Sequence, residues 1–235
     1  MAKGTDDTVD GGADGATARR RREAPAGEAL EAMVSGRAPA RSFPPIEGEV
    51  AHTLVLGTMP GTASLGADEY YAHPMNAFWP IALSIVSGAP PERRAWCAMS
   101  HAARAARFAD AGFALWDVLA ECRRPGSLDG AIVRASEVAN DVAGLVARHP
   151  ELRRVAFNGR AAETLFARHV DLPGPEAGGP ERVALPSTSP AMAALSFEAK
   201  HEAWARALDP ATLPRGPRRG GRRRAAPSGA PRPRR

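Results

Sequence analysis

The sequence is short of the residues that several kinds of chemistry require. Only two of its 235 residues are cysteine, Cys97 and Cys122, and neither stands in a metal-ligand or C-x-x-C spacing. That excludes a disulfide scaffold and a thiolate metal site, and it predicts reduced, buried thiols in a cytosolic protein. Lysine is as scarce, with Lys3 and Lys200 alone. The one tight glycine loop, Gly57-Thr-Met-Pro-Gly61, therefore has neither the Lys nor the Ser/Thr pair of a phosphate-cradling P-loop. The six histidines show no metal-ligand spacing, so neither a metal nor a cofactor is expected. No apolar run reaches the length of a membrane span. The arginines at 19–22 have no apolar segment after them, so no secretory signal is expected either.

What is present is unevenly placed. The formal net charge is +5, with 31 basic and 26 acidic side chains. Nine arginines and no acid lie in residues 215–235, and residues 1–41 balance seven basic against seven acidic groups. Residues 42–214 keep fifteen basic and nineteen acidic groups, a net charge of −4. The basic character belongs to the C-terminal tail, and such a tail suits an anionic partner, nucleic acid first. Residues 1–41 are rich in Gly, Ala, Asp and Arg and residues 210–235 in Pro, Arg and Gly, and both are expected to be disordered, with a short helix near 27–35 compatible with the pattern.

Between them lies one domain, 42–209. Four short apolar runs, at 52–56, 113–118, 152–157 and 182–185, read as strands. Helical stretches separate them: one starting at 76–79, with Pro80 in its first turn, and ending at Ser87; one from Pro90 to just before Gly112; one from Asn140 as cap to Arg148; one at 160–169; and a last one at 196–208. Residues 126–129 read as a loop with a capping look, and 171–181 as a surface loop. Strands alternating with helices predict an α/β fold, a three-layer α/β/α sandwich around a mostly parallel four-stranded sheet. Loops at the carboxyl ends of such strands build the site. The loops after residues 56, 157 and 185 therefore converge on one edge.

The first of these loops is followed by Tyr70-Tyr-Ala-His-Pro-Met-Asn-Ala-Phe-Trp79. A fold has little need of so many aromatic and amide groups beside a tight glycine loop, but a pocket for a flat, hydrogen-bonding ligand does. Together with Phe157-Asn-Gly159 and Leu185-Pro-Ser-Thr-Ser-Pro190, these stretches resemble the motifs of the uracil-DNA glycosylase superfamily, and most closely its hypoxanthine branch. The resemblance spans roughly residues 43–208, with the motifs in order and each in strand–loop–helix context. It implies a monomeric enzyme that flips a deaminated base out of DNA, hypoxanthine first and uracil second, and hydrolyses its N-glycosidic bond.

The resemblance also implies roles. Many members carry an Asp or Asn inside the first glycine loop to handle the attacking water; here that position is Met59. The hypoxanthine branch shares this lack and relies on the asparagine that matches Asn76. A carboxamide is not basic near neutral pH, so Asn76 would orient a water with its carbonyl or donate to the departing base. By its position alone it suits a helix N-cap equally well; the resemblance favours catalysis, and one residue can do both. Gly57, Thr58, Met59, Pro60 and Gly61 would line the base pocket, with loop N–H groups receiving the carbonyl oxygen of the base. Tyr71 matches the stacking aromatic, whereas Phe78 and Trp79 read as helix core. Asn158 offers a donor and an acceptor to a base edge, or serves as a turn residue before Gly159. Ser187, Thr188 and Ser189 match the phosphate-gripping motif, with Met192 where a wedge would stand; a simple turn is the alternative. His73 reads as structural, fixing the turn before Pro74. Asp117 and Asp129 are assigned no chemistry. Neither lysine is placed for a Schiff base with the sugar, which makes the enzyme monofunctional.

Two rival readings remain: a nucleic-acid-binding module without turnover, and, more weakly, a small-molecule nucleotide enzyme. The tail separates from the pocket in a direct test. Each engaged phosphate contributes about 0.9 to the salt slope of duplex binding. Deleting residues 215–235 should weaken binding to damaged and undamaged duplex alike and flatten that slope, leaving single-turnover base release at saturating enzyme near wild type. Fluorescence anisotropy across salt concentrations measures it, and an unchanged slope would mean that the tail is no DNA clamp.

Overall fold

A computed structural model describes residues 26–214; the expectations for residues 1–25 and 215–235 lie outside the described residues. In chain order the elements are α1 (Ala26–Val34), β1 (Ala40–Arg41), β2 (Thr53–Gly57), α2 (Thr62–Ala67), α3 (Phe78–Ser87), α4 (Arg93–Cys97) and α5 (His101–Asp110). They continue with β3 (Phe113–Asp117), β4 (Leu119–Cys122), β5 (Val138–Ala139), α6 (Val142–Arg148), β6 (Arg154–Asn158), α7 (Arg160–His169), β7 (Glu181–Leu185) and α8 (Phe197–Leu208).

The main sheet has the order β3-β2-β6-β7, and every pair is parallel. β2 is central and buried along its whole length. The chain leaves β2 to build β3 on one side, then crosses to place β6 on the other. The carboxyl end of β2 is therefore the topological switch point, where open α/β sheets leave a crevice.

Side chains alternate across the strand. Leu54 and Leu56 pack with Val155, Phe157, Leu145, Leu165 and Phe166, which brings in α6 and α7. Val55 faces the opposite layer of Phe78, Phe108, Leu115 and Trp204, which brings in α3, α5 and α8. The three-layer sandwich with its four-stranded sheet is thus as expected. The second layer is an aromatic cluster, in which Phe108 meets Phe78 and Trp79 edge-on and stacks on Phe113 with centroids 5.0 Å apart.

Several local expectations are corrected. The stretch from Pro90 to Gly112 is two helices, because Ser100 caps α5 by accepting from the Ala103 N–H at 3.2 Å and so ends the preceding turn. α6 is capped by Asp141, whose Oδ1 takes the Gly144 N–H at 2.8 Å. Asn140 instead donates to Ser42 Oγ and the Asp117 carbonyl. Residues 126–129 run into a 3-10 turn at Asp129–Ala131, and α2 follows the glycine loop where no helix was expected. After β3 the chain turns at Val118 into a second, antiparallel sheet, β1-β4-β5, too short to be legible in the sequence. That sheet extends the folded unit below residue 42, since Ala40 pairs with Cys122. At the other end Arg154 donates to Thr212. Among the described residues no helix is long and apolar enough to cross a membrane.

Phe108 is fully buried and belongs to no loop of the switch-point edge. Its replacement by Ala should cost about 3–5 kcal/mol, whereas Val50→Ala, at an exposed position, should stay within about 0.5 kcal/mol of wild type. Urea denaturation of both variants checks the pair.

Candidate active site

The loops after β2, β3, β6 and β7 surround a cavity of about 170 Å³. An apolar cavity of about 150 Å³ holds one benzene ring, so the space suits a single flat ring system. Its wall includes Gly57 to Gly61, Tyr71, His73, Asn76, Asp117, Asp129, Asn158 and Ser187 to Ser189. Every expected pocket residue is therefore at the same place. Met192 is exposed and borders a second groove that shares Ser127, Asp129, Asn158, Ser187 and Ser189 with the cavity.

The glycine loop is held from outside by a group that sequence reasoning passed over. Arg124 follows β4 and is 2% exposed. Its guanidinium donates to the carbonyls of Met59 and Pro60 and lies 3.6 Å from Asp129 Oδ1. That carboxylate oxygen accepts from Thr58 Oγ1 at 2.7 Å. The Gly57 and Thr58 carbonyls accept from the N–H groups of Val118 and Leu119. All four carbonyls from Gly57 to Pro60 are thus engaged on the β4 side. In planar trans peptides the N–H opposes the preceding C=O, so the N–H groups of Thr58, Met59 and Gly61 face the other way. Met59 itself is buried in the core.

Asn76 is pocket wall and holds the turn before α3, whose N-cap is Ala77 and not Asn76. Its Oδ1 accepts the Phe78 N–H at 2.9 Å at the start of α3. That bond fixes the amide's orientation and leaves Nδ2 as the group not engaged in it. His73 holds the turn as expected, its Nδ1 accepting the Met75 N–H and its carbonyl the Asn76 N–H.

The two tyrosines divide. Tyr70 is core, 3% exposed, with its hydroxyl donating to the Phe43 carbonyl. Tyr71 is half-buried, lines the cavity and stacks its ring on Phe78, centroids 4.1 Å apart. Its φ is +54°, in the left-handed region that costs a non-glycine residue energy. The neighbours enforce this: the Tyr70 N–H is bound to His101 Nε2, the Tyr70 carbonyl to Trp79 Nε1, and the Ala72 N–H to Ser64 Oγ.

Asn158 and Thr188 differ from expectation. Thr188 is 1% exposed, its hydroxyl accepting from Asn158 Nδ2 at 2.9 Å and its N–H donating to Asn158 Oδ1 at 2.8 Å. Its side chain is thus turned inward and withheld from a phosphate, because it ties β6 to the loop after β7. Its carbonyl accepts the Ala77 N–H, joining the Asn76 segment as well. Ser187 and Ser189 remain half-exposed. Gly159, at φ +100°, lets Ser187 pass close by, since a Cβ there would stand 3.0 Å from the serine Cβ. The loop after β7 is braced by α8, where Lys200 Nζ donates to the Met192 carbonyl at 2.6 Å and Trp204 Nε1 to the Pro186 carbonyl at 2.8 Å.

Asp117, to which no chemistry was assigned, is the largest surprise. It ends β3, is 3% exposed, and its Oδ2 has no hydrogen-bond partner among the described residues. Burial pushes its carboxyl up to about 8; the Arg124 guanidinium opposes that shift and the Asp129 carboxylate adds to it. Its position at a strand's carboxyl end was the available signal. Burial, and next the charge of Asp117, also hold the Tyr71 hydroxyl well above its ordinary range.

No protein-family profile matches the chain. A hypoxanthine DNA glycosylase of Methanosarcina acetivorans is 34% identical over 122 residues, 52% of this chain and 72% of the relative. One of Methanosarcina barkeri is 31% identical over 120 residues, 51% of this chain and 71% of its own. A solution NMR structure from Methanosarcina acetivorans, provisionally named a uracil DNA glycosylase, superposes with a TM-score of 0.55 at 31% identity, covering 72% of this chain and 98% of that one. The fold, with its cavity at the β2 switch point, is that of the uracil-DNA glycosylase superfamily. Within it the chain belongs to the hypoxanthine DNA glycosylase branch.

The raised pKa of Asp117 has a consequence for stability. The folded protein holds a proton that the unfolded chain releases above its ordinary value of about 4, so stability falls as pH rises from about 4 to about 8. Asp117→Asn removes that dependence. The variant should gain melting temperature over wild type at neutral pH, with the gain vanishing toward pH about 4. Parallel melting curves across this range would contradict the buried, protonated acid.

Proposed function

We propose that the protein is a monofunctional DNA glycosylase, acting as a monomer, that flips a deaminated base into the cavity and hydrolyses its N-glycosidic bond, with hypoxanthine the first-choice base and uracil the second. The observation that carries this reading is the ring-sized cavity, with Tyr71 backed by Phe78 on one side and Asn76 on its wall.

As the C1′–N bond breaks, its electron pair leaves with the base and positive charge grows on the sugar. Fixed dipoles matched to those charges lower the barrier without proton transfer. The N–H groups of Thr58, Met59 and Gly61 are free of the carbonyl clamp and receive the carbonyl oxygen of the base. Asn76 has spent one lone pair of Oδ1 on the Phe78 N–H, so its Nδ2 is the better-placed donor to the departing base, while the second lone pair of Oδ1 orients the attacking water. Tyr71 stacks on the flipped base; such stacking contributes about 1–3 kcal/mol. Ser187 and Ser189 hold the flanking phosphates, Met192 fills the space that the base vacates, and the arginine tail holds the duplex. Lys200 supports the monofunctional reading, because its ammonium is engaged by the carbonyls of Met192 and Ser189 and lies outside the cavity wall.

The test is a panel of oligonucleotides bearing hypoxanthine, uracil, xanthine or a normal base, scored for alkali-labile abasic sites. Release of hypoxanthine first is expected; binding without release would favour the non-catalytic module. Asn76→Ala should lower single-turnover release about 10²–10³-fold. It should also cost about 1 kcal/mol of stability through the lost hydrogen bond to the Phe78 N–H. A folded variant at the wild-type rate would remove Asn76 from the mechanism.

A further inference from the structure

Asp117 and Tyr71 both line the cavity, and each carries a fully buried polar atom, Oδ2 and Oη, that makes no hydrogen bond of good geometry among the described residues. Both side chains crowd Gly57. A Cβ there would overlap Asp117 Oδ1 and stand 2.9 Å from Tyr71 Oη, so the strand ends in glycine to let them reach this point. Leaving a buried polar group unpaired forfeits its hydration without a return. Each such group calls for an explanation, and Asp117 and Tyr71 are the two of this kind among the described residues that also line the cavity. The clamping and bracing bonds of the site use Asn76, Asn158, Thr188 and Arg124, and none of them engages Asp117 Oδ2, while the Asn158 side chain stands beside the Tyr71 hydroxyl.

We propose that Asp117 is a specificity-determining residue that, as a neutral carboxylic acid, donates its O–H to the carbonyl oxygen that deamination puts on the flipped base. This rests on the glycosylase reading. Deamination replaces an amino donor by a carbonyl acceptor, and hypoxanthine differs from adenine in that replacement at C6. An O–H donor on Oδ2 pairs with hypoxanthine and opposes the adenine amino group, because the acid's other oxygen, Oδ1, is turned against Gly57 and not toward the base. A carbonyl oxygen has two lone pairs, so it takes both the Asp117 O–H and a loop N–H. A site built on such a bond rejects the analogue that lacks it far better than shape does. The proton belongs to the buried, uncompensated acid. Tyr70 and Tyr71 face it from the loop after α2, and Arg124 and Asp129 from the segment after β4. His73 lines the same cavity. Loss of the proton would convert the donor into an acceptor that welcomes the amino group instead.

Single-turnover release from inosine DNA and from matched adenine DNA tests this in wild type, Asp117→Ala and Asp117→Asn, from pH about 6 to about 10. Wild-type release of hypoxanthine should fall as pH rises through the Asp117 titration. Asp117→Ala should lose about tenfold or more at neutral pH. Asp117→Asn, whose amide can still donate, should recover part of that rate, lose the alkaline fall and discriminate less against adenine. An alkaline fall that persists in Asp117→Asn, or a folded Asp117→Ala with the wild-type rate and selectivity, overturns the proposal. If wild type releases no base, the glycosylase reading fails, and a second measurement decides the donor by itself. The ¹³C carboxyl resonance of Asp117 should respond to free hypoxanthine and not to free adenine; silence toward both, or equal response to both, overturns it.

Discussion

The Gly57–Gly61 loop stays open because one buried guanidinium holds it from behind. Arg124 reaches the Met59 and Pro60 carbonyls and faces Asp129, which in turn receives Thr58. A cation taken out of water survives only if its donors are spent on acceptors in good geometry, and here the acceptors are the backbone of the loop itself. The arrangement makes the loop's shape a condition for burying the charge. Its N–H edge is left on the far side, and no side chain of the loop has to provide polar chemistry. A buried methionine at position 59 is compatible with that arrangement.

The remaining motifs are joined by a second knot, Asn158 with Thr188, and Thr188 with Ala77. Each of these side chains is buried or half-buried, and each bond runs between segments far apart in the chain. The site therefore has little freedom to relax one loop without another. α8 adds two braces four residues apart on one helical face, Lys200 and Trp204, both ending on carbonyls of the loop after β7. Several groups that the motifs single out serve structure first. Asn76 turns the chain into α3 and still lines the cavity, although the N-cap position itself is taken by Ala77.

Electrostatically the site is quiet. The cavity wall holds Asp129, engaged by Arg124 and Thr58, and Asp117, which burial keeps protonated up to about pH 8. A neutral interior suits a reaction whose charge appears only as the bond breaks, because dipoles already in place need no reorganisation. The strained backbone at Tyr71 belongs to the same economy of motion: three hydrogen bonds on adjacent residues and a stacked Phe78 hold the ring where thermal drift would otherwise take it.

The strands at β2, β3, β6 and β7, the helices α3, α7 and α8, and the convergence of the strand-end loops were legible in the sequence. Apolar runs, proline and glycine positions and helical periodicity are local signals, and parallel strands put their carboxyl ends together without further information. The motif residues were legible too, since they lie in short contiguous stretches. What the chain order could not tell was who holds whom. Arg124 sits in an unremarkable Cys-Arg-Arg-Pro stretch, and only the turn from β3 into the small antiparallel sheet brings it under a loop 65 residues earlier. Thr188 faces inward because Asn158, 30 residues away, offers both halves of its amide. Asp117 becomes a neutral acid only once burial removes the water that would ionise it. Each of these is a matter of solvent exclusion and long-range partners, which come into existence with the tertiary fold.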